Sequence, residues 1–147
     1  AEYNIKVSPE NRMRPVVIVV DEWADLVLQD KDIQKPLCLV AQKGRAAGIS
    51  IVLATQRPSC RVISGLIKAN FPGRVAMKVA SAVDSRVILD SNGAEKISDI
   101  GTGLYVDGSM SKPALFRAPY IESVEDELDR IRPIERQAPT FWQRFSF

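Results

Sequence analysis

The sequence predicts an α/β fold built on a mostly parallel sheet with flanking helices, and three features carry that prediction. Pro15-Val-Val-Ile-Val-Val20 is an unalternated apolar run that stops at two adjacent carboxylates, Asp21 and Glu22. Ile49-Ser-Ile-Val-Leu-Ala-Thr55 is a second such run, stopped by Gln56-Arg57-Pro58. Between them Ile33, Leu37, Val40 and Ala41 recur at i, i+4, i+7 and i+8, the stripe of an amphipathic helix. A run without alternation reads as a strand buried on both faces. Strand, helix and strand in this succession make a crossover unit with its strands parallel.

The first strand cannot take Asp21 and Glu22 into the sheet, because burying an unpaired charge is costly. It delivers them to the carboxyl edge, where α/β folds place their ligands. Two acids at that edge are the Walker B arrangement of a nucleotide-hydrolysing motor. There the Asp holds Mg²⁺ through its water shell and the Glu orients the attacking water. Capping of a following helix is the competing use of the same acids. Apolar sequence resumes at Asp25-Leu-Val-Leu28 and breaks at Gln29-Asp-Lys-Asp32. Pro36 is tolerated only in a first turn, so the next helix starts about there, and Gly48 caps its end. Beyond the second strand, Val62 to Lys68 reads as a short amphipathic helix and Arg74 to Val79 as a third strand. Ser81 caps a helix running to about Leu89, and Ser91 to Gly103 is a turn-rich loop. Leu104-Tyr-Val-Asp107 and Ala114-Leu-Phe-Arg117 form a terminal hairpin. Ser123-x-x-Asp126 opens a capped helix with Val124, Leu128 and Ile131 on one side. Residues 133–147 carry two prolines and the aromatics Phe141, Trp142, Phe145 and Phe147. They read either as a docked arm or as a disordered tail.

At 147 residues the chain is long enough for a single core. A hydrophobic fraction of 46% with 26% charged residues is ordinary for a globular domain. No apolar stretch approaches the roughly 18 residues of a membrane-spanning helix, and no signal-peptide pattern opens the chain. Cys38 and Cys60 have no CxxC partner, which favours two free thiols in a reducing cytoplasm over a disulfide. The absence of histidine excludes Ser-His and Cys-His catalysis and the usual zinc sites. The net charge of +2 conceals an uneven distribution: −2 over residues 1–39, +6 over 40–90 and −2 over 91–147. A basic centre fits a surface facing a polyanion, and equally fits solvated charge spread over all faces.

Three successive segments share one resemblance. Asp21-Glu-Trp-Ala-Asp-Leu26, Ala41-Gln-Lys-Gly-Arg-Ala-Ala-Gly-Ile49 and Leu53-Ala-Thr-Gln-Arg-Pro-Ser59 resemble the motor domain of FtsK/SpoIIIE DNA translocases. Tyr3-Asn-Ile-Lys-Val7 upstream, and Val62 to Asn70, Asp84 to Asp90 and Gly93-Ala-Glu95 downstream, continue it in order. The resemblance implies a RecA-like P-loop NTPase core over residues 1–132, followed by the aromatic tail at 133–147. It implies ATP and Mg²⁺ as cofactors, double-stranded DNA as partner and a hexameric ring as the assembly. By the same resemblance Asp21 is the Mg²⁺-water ligand, Glu22 the catalytic carboxylate and Gln56 the sensor of the γ-phosphate, with Asp21, Thr55 and Gln56 as the nucleotide-binding positions. Arg45 corresponds to the arginine finger that enters a neighbour's site, while Arg57, Lys68 and Arg86 correspond to contacts on the DNA backbone. Each position also has a plainer use. Gln56 can cap a loop, Arg45 can serve the carboxyl end of a helix, and the other three can be solvated surface charge.

The sequence departs from the family in one large respect. It contains no GxxxxGK[S/T] loop, whose amides and Lys cradle the β- and γ-phosphates. The expectation is therefore the carboxyl-terminal part of a motor domain, whose parent is an ATPase but which does not hydrolyse ATP alone. A cytoplasmic location follows, with any membrane tether in a missing amino-terminal region. Trp23 replaces the family's usual Phe, and the link from Asp21 to Arg45 is one residue short. Two alternatives stand beside the motor reading. One is a non-catalytic DNA-binding or assembly module completed by a P-loop from elsewhere; the other is a generic Mg²⁺-dependent hydrolase using Asp21, Glu22 and Asp25.

Overall fold

A computed structural model of the chain describes residues 2–131. The tail at 133–147 lies outside the described residues. The described residues fall into two units, 2–117 and 118–131.

The first unit opens with a short helix, α1 (Glu2–Lys6), and a 3₁₀ turn at Pro9–Asn11. Strand β1 (Val16–Val20) then leads into α2 (Trp23–Gln29), and α3 (Gln34–Ala47) returns the chain to β2 (Ile49–Leu53). Pro36 falls in the first turn of α3, where its missing N–H costs nothing. Gly48 ends that helix in the left-handed region at φ 79°. β1 and β2 pair in parallel, with Val16 opposite Ile49 and Val20 opposite Leu53.

One face of this pair lies on a core made of Trp23, Ala24, Val27, Cys38, Val62 and Ile67, against which Val20 and Leu53 pack. The other face is open: Val17 is 64% exposed, Val19 67% and Val52 52%. This corrects the expectation of strands buried on both faces. Side chains alternate along a strand, and among the described residues of this unit the helices cover only one side of the pair.

Beyond β2, α4 (Gly65–Asn70) is capped by Ser64, whose hydroxyl accepts from the Ile67 N–H. β3 (Arg74–Ala76) follows, then α5 (Ala82–Leu89), capped by Ser81 accepting from the Asp84 N–H. β4 (Thr102–Val106) and β5 (Ala114–Arg117) form the expected hairpin. β3 pairs antiparallel with β4, so the second sheet runs β3-β4-β5 and the parallel pairing is confined to β1 and β2. The physical reason is the position of α5, which packs on β3 and not over the parallel pair. A separate core of Ala76, Leu89, Ala94, Ile97 and Val106 sits beneath this sheet. At Gly103 the ring of Phe116, its cross-strand neighbour, fills the space that a Cβ would need.

In the second unit, α6 (Val124–Ile131) starts at Ser123, which accepts from the Asp126 N–H. No helix among the described residues is long and apolar enough to cross a membrane.

Candidate functional site

The parallel pair extends past its assigned ends and holds two loop tips together. Ala54 N–H donates to Val20 O, and Trp23 N–H donates to Ala54 O, both at 2.8 Å. Asp21 and Glu22 therefore stand beside Thr55 and Gln56 at one carboxyl edge. The Trp23 indole is buried, and its Nε1–H donates to Val62 O at 3.0 Å, fixing the first turn of α2 behind the acids.

Glu22 is held by three donors. Thr55 Oγ1–H reaches its Oε1 at 2.5 Å, Ala24 N–H reaches the same oxygen at 3.1 Å, and Gln56 N–H reaches Oε2 at 2.9 Å. The Ala24 bond makes Glu22 the cap of α2, so the capping use and the edge position coexist. The Thr55 hydroxyl and then the Gln56 amide stabilise the ionised form and hold the Glu22 carboxyl below its ordinary pKa. Thr55 Oγ1 in turn accepts from Arg57 N–H at 3.1 Å. Asp21 differs: it is exposed and makes no hydrogen bond or ion pair with another described residue. The Gln56 side-chain amide is likewise exposed and unpaired among the described residues.

These side chains fit a hydrated divalent cation and an anion in part. Asp21 offers one free carboxylate, and Gln56 offers an uncommitted N–H₂ donor at the same edge of the sheet. Among the described residues no three Cys, Asp or Glu side chains converge into a metal cage. Any cation would therefore take its other ligands from water and phosphate oxygens.

The other expected positions lie elsewhere. Arg45 is exposed in the last turn of α3, which feeds β2 at Ile49, opposite Val16 at the start of β1. The five-residue β1 separates it from Asp21, about 16 Å of strand. Arg45 and the acids of its own chain thus occupy opposite edges of the sheet. Arg57 stays with the acidic cluster, its Nη1 3.7 Å from Asp25 Oδ1. Lys68 and Arg86 are gathered at the carboxyl end of α5. Lys68 Nζ donates to Asp90 Oδ1 at 2.5 Å, and Arg86 Nη1 to Asn92 Oδ1 at 2.7 Å. Two members of this group were not singled out from sequence. Arg74 donates from Nη1 to Asp90 Oδ2 at 2.6 Å, and Asp90 itself joins α4, β3 and α5. Residues 16 and 22 positions apart share no local pattern, although the acidic end of Asp84-Ser-Arg-Val-Ile-Leu-Asp90 was a signal in plain view.

Residues 6–60 match the FtsK/SpoIIIE family. The DNA translocase FtsK of Chlorobaculum tepidum is 46% identical over 139 residues, covering 94% of this chain; the chain spans 17% of that relative's length. Among solved structures, the pCW3 conjugation coupling protein TcpA, in its monomer form with ATPγS, superposes with a TM-score of 0.75 at 25% identity. That match covers 89% of this chain and 40% of TcpA. The cytoplasmic domain of the Thermomonospora curvata type VII secretion ATPase EccC shares the fold at a TM-score of 0.71 and 23% identity, over 82% of this chain and 14% of EccC. The architecture is that of the RecA-like P-loop ATPases. By these matches the chain belongs to the FtsK/SpoIIIE family.

Proposed function

We propose that this chain is part of an ATP-driven double-stranded DNA translocase and supplies the hydrolysis side of its nucleotide site. The observation that supports this best is the bonding of Glu22 to Thr55 and Gln56, with Asp21 left free beside it. When bound, Mg²⁺-ATP would supply the phosphoanhydride to be cleaved and the cation that draws charge from it. Asp21 would hold the cation's water shell. Glu22, ionised throughout the neutral range, would orient a water, and the Gln56 amide would donate to a phosphate oxygen or to that water. Thr55 sets the carboxylate's position. Arg45 cannot serve the acids of its own chain; as an arginine finger it would act on a neighbouring copy in a hexameric ring. Arg57, Lys68 and Arg86 would grip duplex phosphates without reading sequence. ATP and duplex DNA as substrates put the site on the cytoplasmic side.

A second reading, a non-catalytic DNA-binding or assembly module, draws on the open valine face of β1 and β2. Parallel sheets are normally covered on both faces. A layer carrying the phosphate loop, from a partner or another segment of a longer protein, would cover this one. Turnover separates the two readings. A translocase containing this segment should show DNA-stimulated ATP hydrolysis that Glu22→Gln reduces by about 10²-fold or more, with ATP still bound. Hydrolysis at the wild-type rate in Glu22→Gln would refute the first reading.

A further inference from the structure

Asp90 is an improbable residue for its place. It sits at φ 59° and ψ 13°, the one non-glycine residue at positive φ among the described residues. Its N–H closes α5 on Arg86 O at 3.0 Å. Glycine or asparagine suits a left-handed cap better, and a negative charge at a helix carboxyl end opposes the helix dipole. Asparagine would relieve both costs at nearly the same size. What it would lack is the charge, and the charge is what the surroundings use.

The carboxylate of Asp90 is divided between two cations, with Oδ1 on Lys68 Nζ and Oδ2 on Arg74 Nη1. Both basic side chains are largely covered, 24% and 19% exposed, while that of Asp90 is 57% exposed. Arg74 keeps its Nε buried without a hydrogen-bond partner, so Asp90 is its anchor. Arg86 lies one turn earlier on the same helix and adds to the Gly93 N–H in lowering the pKa of Glu95, so of the two carboxylates near this patch of three cations only Asp90 bridges a pair of them.

We propose that Asp90 acts as an internal stand-in for a phosphate. It positions Lys68 and Arg74 for the DNA backbone and competes with it, so that the patch grips the duplex weakly enough to let go. This rests on the reading of Lys68 as a backbone contact and adds Arg74 to the same surface. A purely structural brace would predict the opposite response when the carboxylate is removed.

The test is binding of a duplex of about 20 base pairs by fluorescence anisotropy, from about 50 to 200 mM salt. Asp90→Asn and Asp90→Gly both accept the left-handed cap, so a failure of one to fold leaves the other. Each should bind more tightly at low salt than the natural chain. Each should also lose about threefold more affinity across that range, the signature of roughly one extra phosphate contact. In a Lys68→Ala background the gain should shrink. Unchanged or weaker binding in a folded Asp90 variant, with salt-sensitive binding by the natural chain, overturns this inference alone. No salt-sensitive duplex binding by the natural chain overturns the DNA reading of the patch and this inference with it.

Discussion

Thr55 and Glu22 lie 33 positions apart in sequence, and the hydroxyl of one rests on the carboxylate of the other at 2.5 Å. The bond ties the tip of β2 to the first turn of α2. With the Ala24 and Gln56 N–H groups it positions the carboxylate and favours its ionised form. Thr55→Val, which keeps shape and removes the donor, should raise the Glu22 pKa toward its ordinary value and lower the melting temperature. Carboxyl NMR titration checks the first and calorimetry the second.

The same bond sets a pH dependence. The pKa of Glu22 is lower in the folded chain, chiefly through Thr55 and then Gln56. The contribution is therefore complete above the unfolded carboxyl value. It is lost as pH falls through the lowered folded value. Asp90, lowered by Lys68 first, and Asp107, lowered by Ser109 first, act in the same direction. Stability should fall on acidification below about pH 4.5, the ordinary carboxyl range. Glu22→Gln should flatten part of that fall in urea titrations at stepped pH.

Trp23→Phe is a sharp test of the wall behind the acids, because the family's usual residue here is Phe. The substitution removes the Nε1–H that satisfies Val62 O in a buried setting. It should cost about 1–3 kcal/mol, read as a lower denaturant midpoint at constant m-value.

Two glycines should respond oppositely to alanine. At Gly103 a Cβ would stand 2.6 Å from Phe116 ring atoms and 3.0 Å from Met77 Sδ. Gly103→Ala should cost about 1–3 kcal/mol through overpacking. At Gly65 nothing lies within 4 Å, and the residue opens α4. Gly65→Ala should be neutral or stabilising by up to about 1 kcal/mol. Thermal melts of the pair separate them.

Arg57 and Lys68 should also part company. The Arg57–Asp25 pair is exposed and long at 3.7 Å, so Arg57→Ala should change stability by less than about 0.5 kcal/mol. Lys68→Ala uncouples α4 from the cap of α5 and should lower the melting temperature measurably. If both touch the duplex backbone, each should reduce the salt slope of binding by about 0.9.

Much of this molecule is determined by signals that reach no further than a few residues. The apolar run to Asp21, the helical period that packs Ile33 and Leu37 on the core while leaving Val40 exposed, the serine caps at 81 and 123 and the left-handed Gly48 are all of that kind. They appear where the sequence says, because strand pleat, helix period and capping are properties of adjacent backbone. The edge that brings Asp21 and Glu22 to Thr55 and Gln56 follows from two such strands running parallel. Which face of β1 is covered was decided only in three dimensions, since a valine run is the same whether one layer packs on it or two. So was the turn of β3 away from the parallel pair onto β4. The sharing of Asp90 by Lys68 and Arg74 belongs there too: an ion pair forms between whichever charges the packed elements bring within reach, and no local period encodes that meeting.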